Sequence, residues 1–115
     1  MILVIGGFAS GKRTYVKEVL GYTDEDMTDQ AIDERRVVYN AQNMAMGDPE
    51  AIDKTIEDLC RKDVVIACEI GLGIIPLDKN ERMLREAAGR MTNRLAKRAD
   101  KVIRMVCGIP LVLKG

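Results

Sequence analysis

Short apolar runs alternate along this chain with longer stretches in which apolar residues recur every three or four positions, a pattern that predicts strands and helices in turn. Ile2-Leu3-Val4-Ile5 is continuous and β-branched, as expected of a strand buried on both faces of a parallel sheet. Lys12 to Leu20 carries Tyr15, Val16, Val19 and Leu20 at helical spacing, with Gly21 as a stop. Thr23 to Arg36 is polar and acidic, a short helix or an exposed connection. Val37-Val38-Tyr39 predicts a second strand, leading into Asn40-Ala41-Gln42-Asn43 at its carboxyl end. Asp48-Pro49-Glu50 starts a capped helix with the stripe Ile52, Ile56, Leu59 and Cys60. Val64 to Cys68 is another buried strand, closed by Glu69 and then Gly71 and Gly73. Pro76 punctuates the chain before the longest helix, Asn80 to Lys97, whose apolar side is Leu84, Ala87, Ala88, Met91 and Leu95. Val102 to Cys107 is a fourth strand, which Gly108-Ile109-Pro110 breaks before a short edge strand, Leu111-Val112-Leu113. The order of elements predicts an α/β fold, a mostly parallel sheet flanked by helices. No internal repeat interrupts it, and residues 1–115 are expected to form a single domain.

The segment behind the first strand, Gly6-Gly7-Phe8-Ala9-Ser10-Gly11-Lys12-Arg13, has the form of a phosphate-binding loop. Gly, four residues, Gly and Lys between a buried strand and a helix turn successive backbone N–H groups inward, where a polyphosphate can be held. Gly6, Gly7, Phe8, Ala9, Ser10, Gly11, Lys12, Arg13 and Thr14 are therefore the candidate nucleotide-binding residues, with Lys12 reaching the β- and γ-phosphates. A glycine-rich turn with no ligand would leave Lys12 without a purpose. The residue after the lysine normally supplies a hydroxyl to Mg²⁺, but Arg13 has donors and no lone pair for a metal. Thr14 is a poor substitute, because one residue further it points about 100° away around the helix. Arg13 can instead neutralise phosphate as a two-pronged fork, keeping nucleotide affinity while weakening metal-dependent transfer. Glu69, at the end of its strand, is the candidate second acid of such a site; the competing reading is an exposed loop carboxylate. No metal ligand is assigned, and the use of Mg²⁺ stays open.

Composition narrows the partners. Lys plus Arg and Asp plus Glu are both 18 in 115 residues, and only four residues are aromatic, which argues against a nucleic acid or an anionic membrane as partner. Thr23 to Glu34 nevertheless holds six acids and no base, and Glu81 to Arg104 eight bases against three acids. The basic helix could line an anionic ligand, although a solvated face is the commoner explanation. Cys60, Cys68 and Cys107 form no metal or disulfide pattern and there is no histidine, so reduced cytoplasm is the expected compartment. No apolar run approaches the length of a membrane span and no leader pattern opens the chain, which predicts a soluble, unprocessed protein. Without histidine, chemistry must come from carboxylates, Lys, Arg and backbone.

Three further stretches are motif-like: Cys68-Glu69-Ile70-Gly71-Leu72-Gly73-Ile74-Ile75-Pro76, then Ala88-Gly89-Arg90 with Asn93-Arg94-Leu95-Ala96, and finally Cys107-Gly108-Ile109-Pro110-Leu111-Val112-Leu113-Lys114. Together with the loop, they resemble the bifunctional adenosylcobinamide kinase and adenosylcobinamide-phosphate guanylyltransferase family, whose loop reads Gly-Gly-x-x-Ser-Gly-Lys-Ser. The likeness covers the first twenty or so residues and the chain from about Val64 onward. It implies a P-loop NTPase-type, RecA-like sheet, a place in cobalamin biosynthesis, ATP or GTP as nucleotide, adenosylcobinamide as acceptor, and a homo-oligomer. Family members phosphorylate the acceptor's hydroxyl, then transfer GMP through a histidine-linked intermediate. This chain has no histidine, and the region that carries it in the family is shortened here to Thr23–Arg36, an internal deletion. Asn40 stands where the family has an acid at a strand end, and Cys68 and Thr92 where it has Asn. The leading expectation is a purine-nucleotide-binding protein that retains kinase-type transfer, with Lys12 and Glu69 as catalytic residues, and lacks guanylyl transfer. The alternative is a non-catalytic nucleotide-binding or regulatory subunit.

Overall fold

The structure is a computed structural model that describes residues 1–69 and 78–115. Gly71, Gly73 and Pro76, with most of the motif from Cys68 to Pro76, lie outside the described residues. Among the described residues six strands form one sheet: β1 (Ile2–Gly6), β2 (Met27–Thr28), β3 (Val37–Val38), β4 (Val64–Cys68), β5 (Lys101–Val106) and β6 (Ile109–Lys114). Their spatial order is β2-β3-β4-β1-β5-β6. The first five are parallel where they pair, and β6 returns antiparallel along β5. This is the mostly parallel α/β sheet expected from the alternation of elements, and it agrees with the P-loop NTPase-type fold that the resemblance implies. β1 is central because Leu3 and Val4 have apolar neighbours on both faces, and neither is exposed.

Helix α1 (Lys12–Glu18) covers one face of the sheet; α2 (Pro49–Cys60) and α3 (Lys79–Arg98) cover the other. Strand alternation sends Val4, Val64, Ile66, Ile103 and Met105 toward Val16 of α1. Leu3, Val65, Ala67 and Val102 go the other way, against Ile56 and Leu59 of α2 and Ala87, Ala88, Met91 and Leu95 of α3. The Asp48 and Asp78 carboxylates accept from Ala51 N–H and Glu81 N–H, capping α2 and α3. Part of the basic face of α3 is paired: Arg94 meets Asp53 at 2.8 Å and Arg98 meets Glu57 at 2.6 Å, two ion pairs one turn apart. No described helix is long and apolar enough to cross a membrane.

Two expectations need correction. Gly108-Ile109-Pro110 does not break the last strand region. Cys107 (φ 52°) and Gly108 (φ 77°) alone make a tight two-residue turn, and β6 begins at once with Ile109. Pro110 is tolerated there because β6 is an edge strand. The acidic stretch Thr23–Arg36, expected as a short helix or an exposed connection, is more than either. It holds a turn of 3-10 helix at Asp24–Asp26 and the two-residue strand β2, which no apolar run announces. Side chains hold β2 in place: Thr28 Oγ1 donates to Asp33, the Arg35 guanidinium bonds both Asp33 oxygens and the Met27 carbonyl, and the Lys62 ammonium donates to the Asp33 and Arg35 carbonyls.

The hydrogen bonds from Arg35, its backbone N–H included, hold the Asp33 carboxyl well below the usual carboxylate range. A group whose pKa is lowered by folding stabilises the fold above its unfolded value, about pH 4, and loses that contribution as pH falls toward the depressed value. Urea midpoints measured between about pH 5 and pH 2.5 should therefore fall less steeply for Asp33→Asn than for the native chain. Equal slopes would show that the cluster does not couple to folding.

Candidate functional site

β1 ends at Gly6, where three backbones converge. The Gly6 carbonyl accepts from Glu69 N–H at 2.8 Å. A Cβ at Gly6 would lie 2.7 Å from the Met105 carbonyl oxygen and 2.5 Å from Ser10 Oγ, closer than such atoms approach, so no side chain fits there. The loop tightens through Ser10 N–H donating to the Gly7 carbonyl, passes through Ala9 at φ 56°, and enters α1 at Gly11, φ 92°, whose carbonyl accepts from Tyr15 N–H. The Ser10 carbonyl accepts from Gly108 N–H at 3.1 Å, so the β5–β6 turn buttresses the loop from outside.

Lys12 arches back over the loop, its ammonium 2.6 Å from the Gly7 carbonyl and 3.5 Å from Ser10 Oγ. Arg13, the next residue, lays its guanidinium over the Tyr39 ring, 3.8 Å from the centroid, a cation–π stack between α1 and the end of β3. A cavity of about 620 Å³ opens between them, with Phe8 to Thr14 along one side and Tyr39, Asn40, Gln42 and Cys68 along the other. Phe8 stands at its rim, 93% exposed. Gln42 is buried, and its Oε1 accepts from Cys68 N–H at 2.9 Å, joining the segment after β3 to the end of β4.

The structure brings Phe8 to Thr14 together around this cavity, with Gly6 and Gly7 forming the approach from β1. Glu69 is placed apart. Its carboxylate faces the α3 side, where Arg104 of β5 grips both oxygens at 2.9 and 3.0 Å, and it is absent from the lining of the loop cavity. Arg94 and Arg98, from the basic helix, are occupied by α2. Tyr39, Gln42 and Ile66 are the cavity residues that the sequence reading did not single out as site residues, whereas Cys68 was marked there only as a departure from the family pattern. The polar run Asn40 to Asn43 at a strand end was the signal for Gln42, and Tyr39 was hidden by reading as strand.

The donor set does not suit Mg²⁺ at its usual place beside such a loop. Arg13 occupies the hydroxyl position, Asn40 offers a neutral amide, and Glu69 is already bound on both oxygens. Among the described residues there is no group of three His, Cys, Asp or Glu able to hold a metal ion.

A family model described as cobinamide kinase / cobinamide phosphate guanyltransferase matches residues 27–113 of the chain. A bifunctional adenosylcobalamin biosynthesis protein, CobP, of Pseudomonas aeruginosa is 32% identical over 69 residues, which is 60% of this chain and 40% of that protein. Another, CobU, of Salmonella typhimurium is 42% identical over 53 residues, 46% of this chain and 29% of that protein. The matched portions thus span less than half the length of either relative. The family match starts beyond the phosphate-binding loop and takes in residues 27–63, a stretch that the motifs alone left unassigned.

Gln42→Leu removes the acceptor of a backbone N–H at the strand end and should lower unfolding free energy by about 1–3 kcal/mol in a urea titration. A change below about 0.5 kcal/mol would show that water replaces the amide there.

Proposed function

The chain belongs to the cobinamide kinase / cobinamide phosphate guanyltransferase family, and from that premise we propose that it is a purine-nucleotide-binding P-loop protein of cobalamin biosynthesis, without the histidine-linked guanylyl transfer. The observation that carries the proposal is the loop itself. Gly6 to Gly11 turns between the central strand and α1, and the Lys12 ammonium is held over it by one carbonyl and one hydroxyl. Those are partners that the terminal phosphates of ATP or GTP would replace with stronger, charge-assisted bonds. The backbone N–H groups of the loop hold the polyphosphate, Lys12 its β- and γ-phosphates, and Arg13 adds a second fixed cation. The family model is described as a cobinamide kinase and the relatives as adenosylcobalamin biosynthesis proteins, which supports adenosylcobinamide as the acceptor for kinase-type transfer.

Guanylyl transfer through a phosphohistidine-type linkage has no carrier in a chain without histidine. Kinase transfer has lost its usual metal ligands, and electrostatic stabilisation of that kind is worth on the order of 10² or more in rate. A second reading, a non-catalytic nucleotide-binding or regulatory subunit, is favoured by the Glu69–Arg104 pair, which withdraws the remaining acid from the loop cavity. Association of copies is supported by β6, an edge strand whose Ile109, Leu111, Val112 and Leu113 are all exposed. The three free cysteines suit a reducing compartment such as cytoplasm.

Two measurements separate these readings. ATP and GTP titrations of the native chain should give an affinity that changes little when Mg²⁺ is chelated and falls by about tenfold or more in Lys12→Ala. Equal affinity in the variant would remove nucleotide binding at the loop. In a kinase assay with adenosylcobinamide, Arg13→Ser should turn over faster than the native chain and only with Mg²⁺; native turnover equal to or above that of the variant would return Arg13 to a catalytic role.

A further inference from the structure

Two sides of the basic helix α3 are already occupied. Ala87, Ala88, Met91 and Leu95 are buried in the core, and Arg94 and Arg98 pair with Asp53 and Glu57 of α2. Arg85, Gly89 and Asn93, spaced four residues apart, form a third stripe along the helix. They face a cavity of about 460 Å³, walled on the other side by Ile5 of β1, Arg104 of β5 and Leu113 of β6. Its volume is within the range of small-molecule sites. It shares one wall residue with the loop cavity, Cys68, and no charged one.

Gly89 stands in the interior of a 20-residue helix, where glycine is less favourable than alanine because it gives up more backbone freedom. Nothing among the described residues requires it. A Cβ there would meet no neighbouring atom within 4 Å, and the residue is not among the glycines with positive φ. Gly6 is explained by a close approach and Gly108 by a turn, but Gly89 by neither. Its bare backbone fronts the cavity, so the space that it leaves open is space for a bound molecule.

The charges around this space are unequal. Glu69 is the carboxylate of its described walls, and Arg104 binds both of its oxygens. Arg85, Thr92 and Asn93 make no side-chain hydrogen bond or ion pair among the described residues, and residues 70–77 include no acid. The Arg85 guanidinium is thus left uncompensated, beside a hydroxyl and an amide and across from the apolar Ile5 and Leu113. A single spare charge is too little for a polyphosphate, which the loop cavity meets with Lys12 and Arg13 and no carboxylate. It matches one carboxylate, whose planar oxygens fit the two-pronged guanidinium.

We propose that the cavity between α3 and the ends of β1 and β5 is a second ligand site, taking a small organic monocarboxylate. The head group lies on Arg85 and Asn93, and the apolar body passes over Gly89 onto Ile5 and Leu113. Thr92 supplies a further hydrogen bond at the floor. The site does not depend on the nucleotide reading of the loop, since the charged groups of the two cavities are separate sets.

NMR titration of the isotope-labelled full chain with benzoate, phenylacetate and hexanoate, and with benzamide as an uncharged counterpart, tests the site. At least one carboxylate should give saturable shifts centred on the amides of residues 85–93 and Leu113, and benzamide should bind more weakly by about tenfold or more. Arg85→Gln should weaken that carboxylate by about tenfold or more. Gly89→Ala separates binding from folding: it should raise the urea midpoint, as alanine does inside a helix, and still weaken the carboxylate by about tenfold. Saturating ATP should leave the carboxylate affinity within about twofold. Shifts from none of the three carboxylates, shifts centred on residues 6–14, equal binding of benzamide, native affinity in either variant, or displacement by ATP would each overturn the second site.

Discussion

The close approach of β1, β4 and β5 at Gly6 is the constraint on which the rest of this molecule depends. Gly6 is paired in register with Cys68 on one side and Met105 on the other. The hydrogen bond from Glu69 N–H fixes its carbonyl, and the Met105 carbonyl oxygen occupies the space a side chain would need. The loop therefore leaves the sheet from one defined point and in one direction. Its outer side is fixed again by Gly108 N–H on the Ser10 carbonyl. A turn that ties two strands of the sheet also holds the rim of the loop, so the cavity between α1 and the end of β3 is a property of the whole sheet edge.

The cations around that edge differ in how firmly they are held. Lys12 is bound to a neutral carbonyl, a contact worth about 0.5–1.5 kcal/mol net or somewhat more with a charged donor. Arg13 lies on an aromatic face, worth about 0.5–1 kcal/mol at an exposed position. Both are partners that a phosphate displaces easily, because an anion offers charge-assisted bonds roughly twice as strong. Arg104 is different. It already holds a carboxylate at two oxygens, on a side chain that is only one-fifth exposed. An incoming anion gains little by competing with Glu69 for it, and Glu69 gains little by leaving. The strengths of these contacts divide the residues into two sets, one available to a ligand and one that braces the end of β1 from the α3 side.

Most of this fold was legible because its strands are unbroken apolar runs and its helices carry stripes. Ile2 to Ile5, Val64 to Cys68 and the stripe from Ala87 to Leu95 could hardly be read otherwise. β2 was not legible, since Met27-Thr28 has one apolar residue and acids on both sides, and its strand character comes from Arg35 and Lys62 rather than from its own pattern. The start of β6 was misread because Gly-Ile-Pro signals a stop, whereas only Cys107 and Gly108 turn and proline is harmless on an edge. In the site, Phe8 to Thr14, which the loop spacing grouped together, line one cavity. Sequence order could not show that Glu69, one residue beyond the parallel register of β4, points to the opposite face from Cys68. Nor could it show the Arg13–Tyr39 stack, which joins residues twenty-six positions apart.

The segment before β3 is held largely by side-chain contacts. A strand pair of two residues each supplies too few ladder bonds to hold a sheet edge by itself. Here Thr28, Asp33, Arg35 and Lys62 supply the remainder from side chains, and their acceptors include the backbone carbonyls of Met27, Asp33 and Arg35. The same segment provides residues 29–32, the outer wall of a cavity beyond Asn40. That wall is thus held by hydrogen bonds and a partly exposed ion pair, with Ala31 packed against the core. The close approach of backbones at Gly6 and the burial of Ile66 fix the loop side of the edge, while polar contacts fix the other.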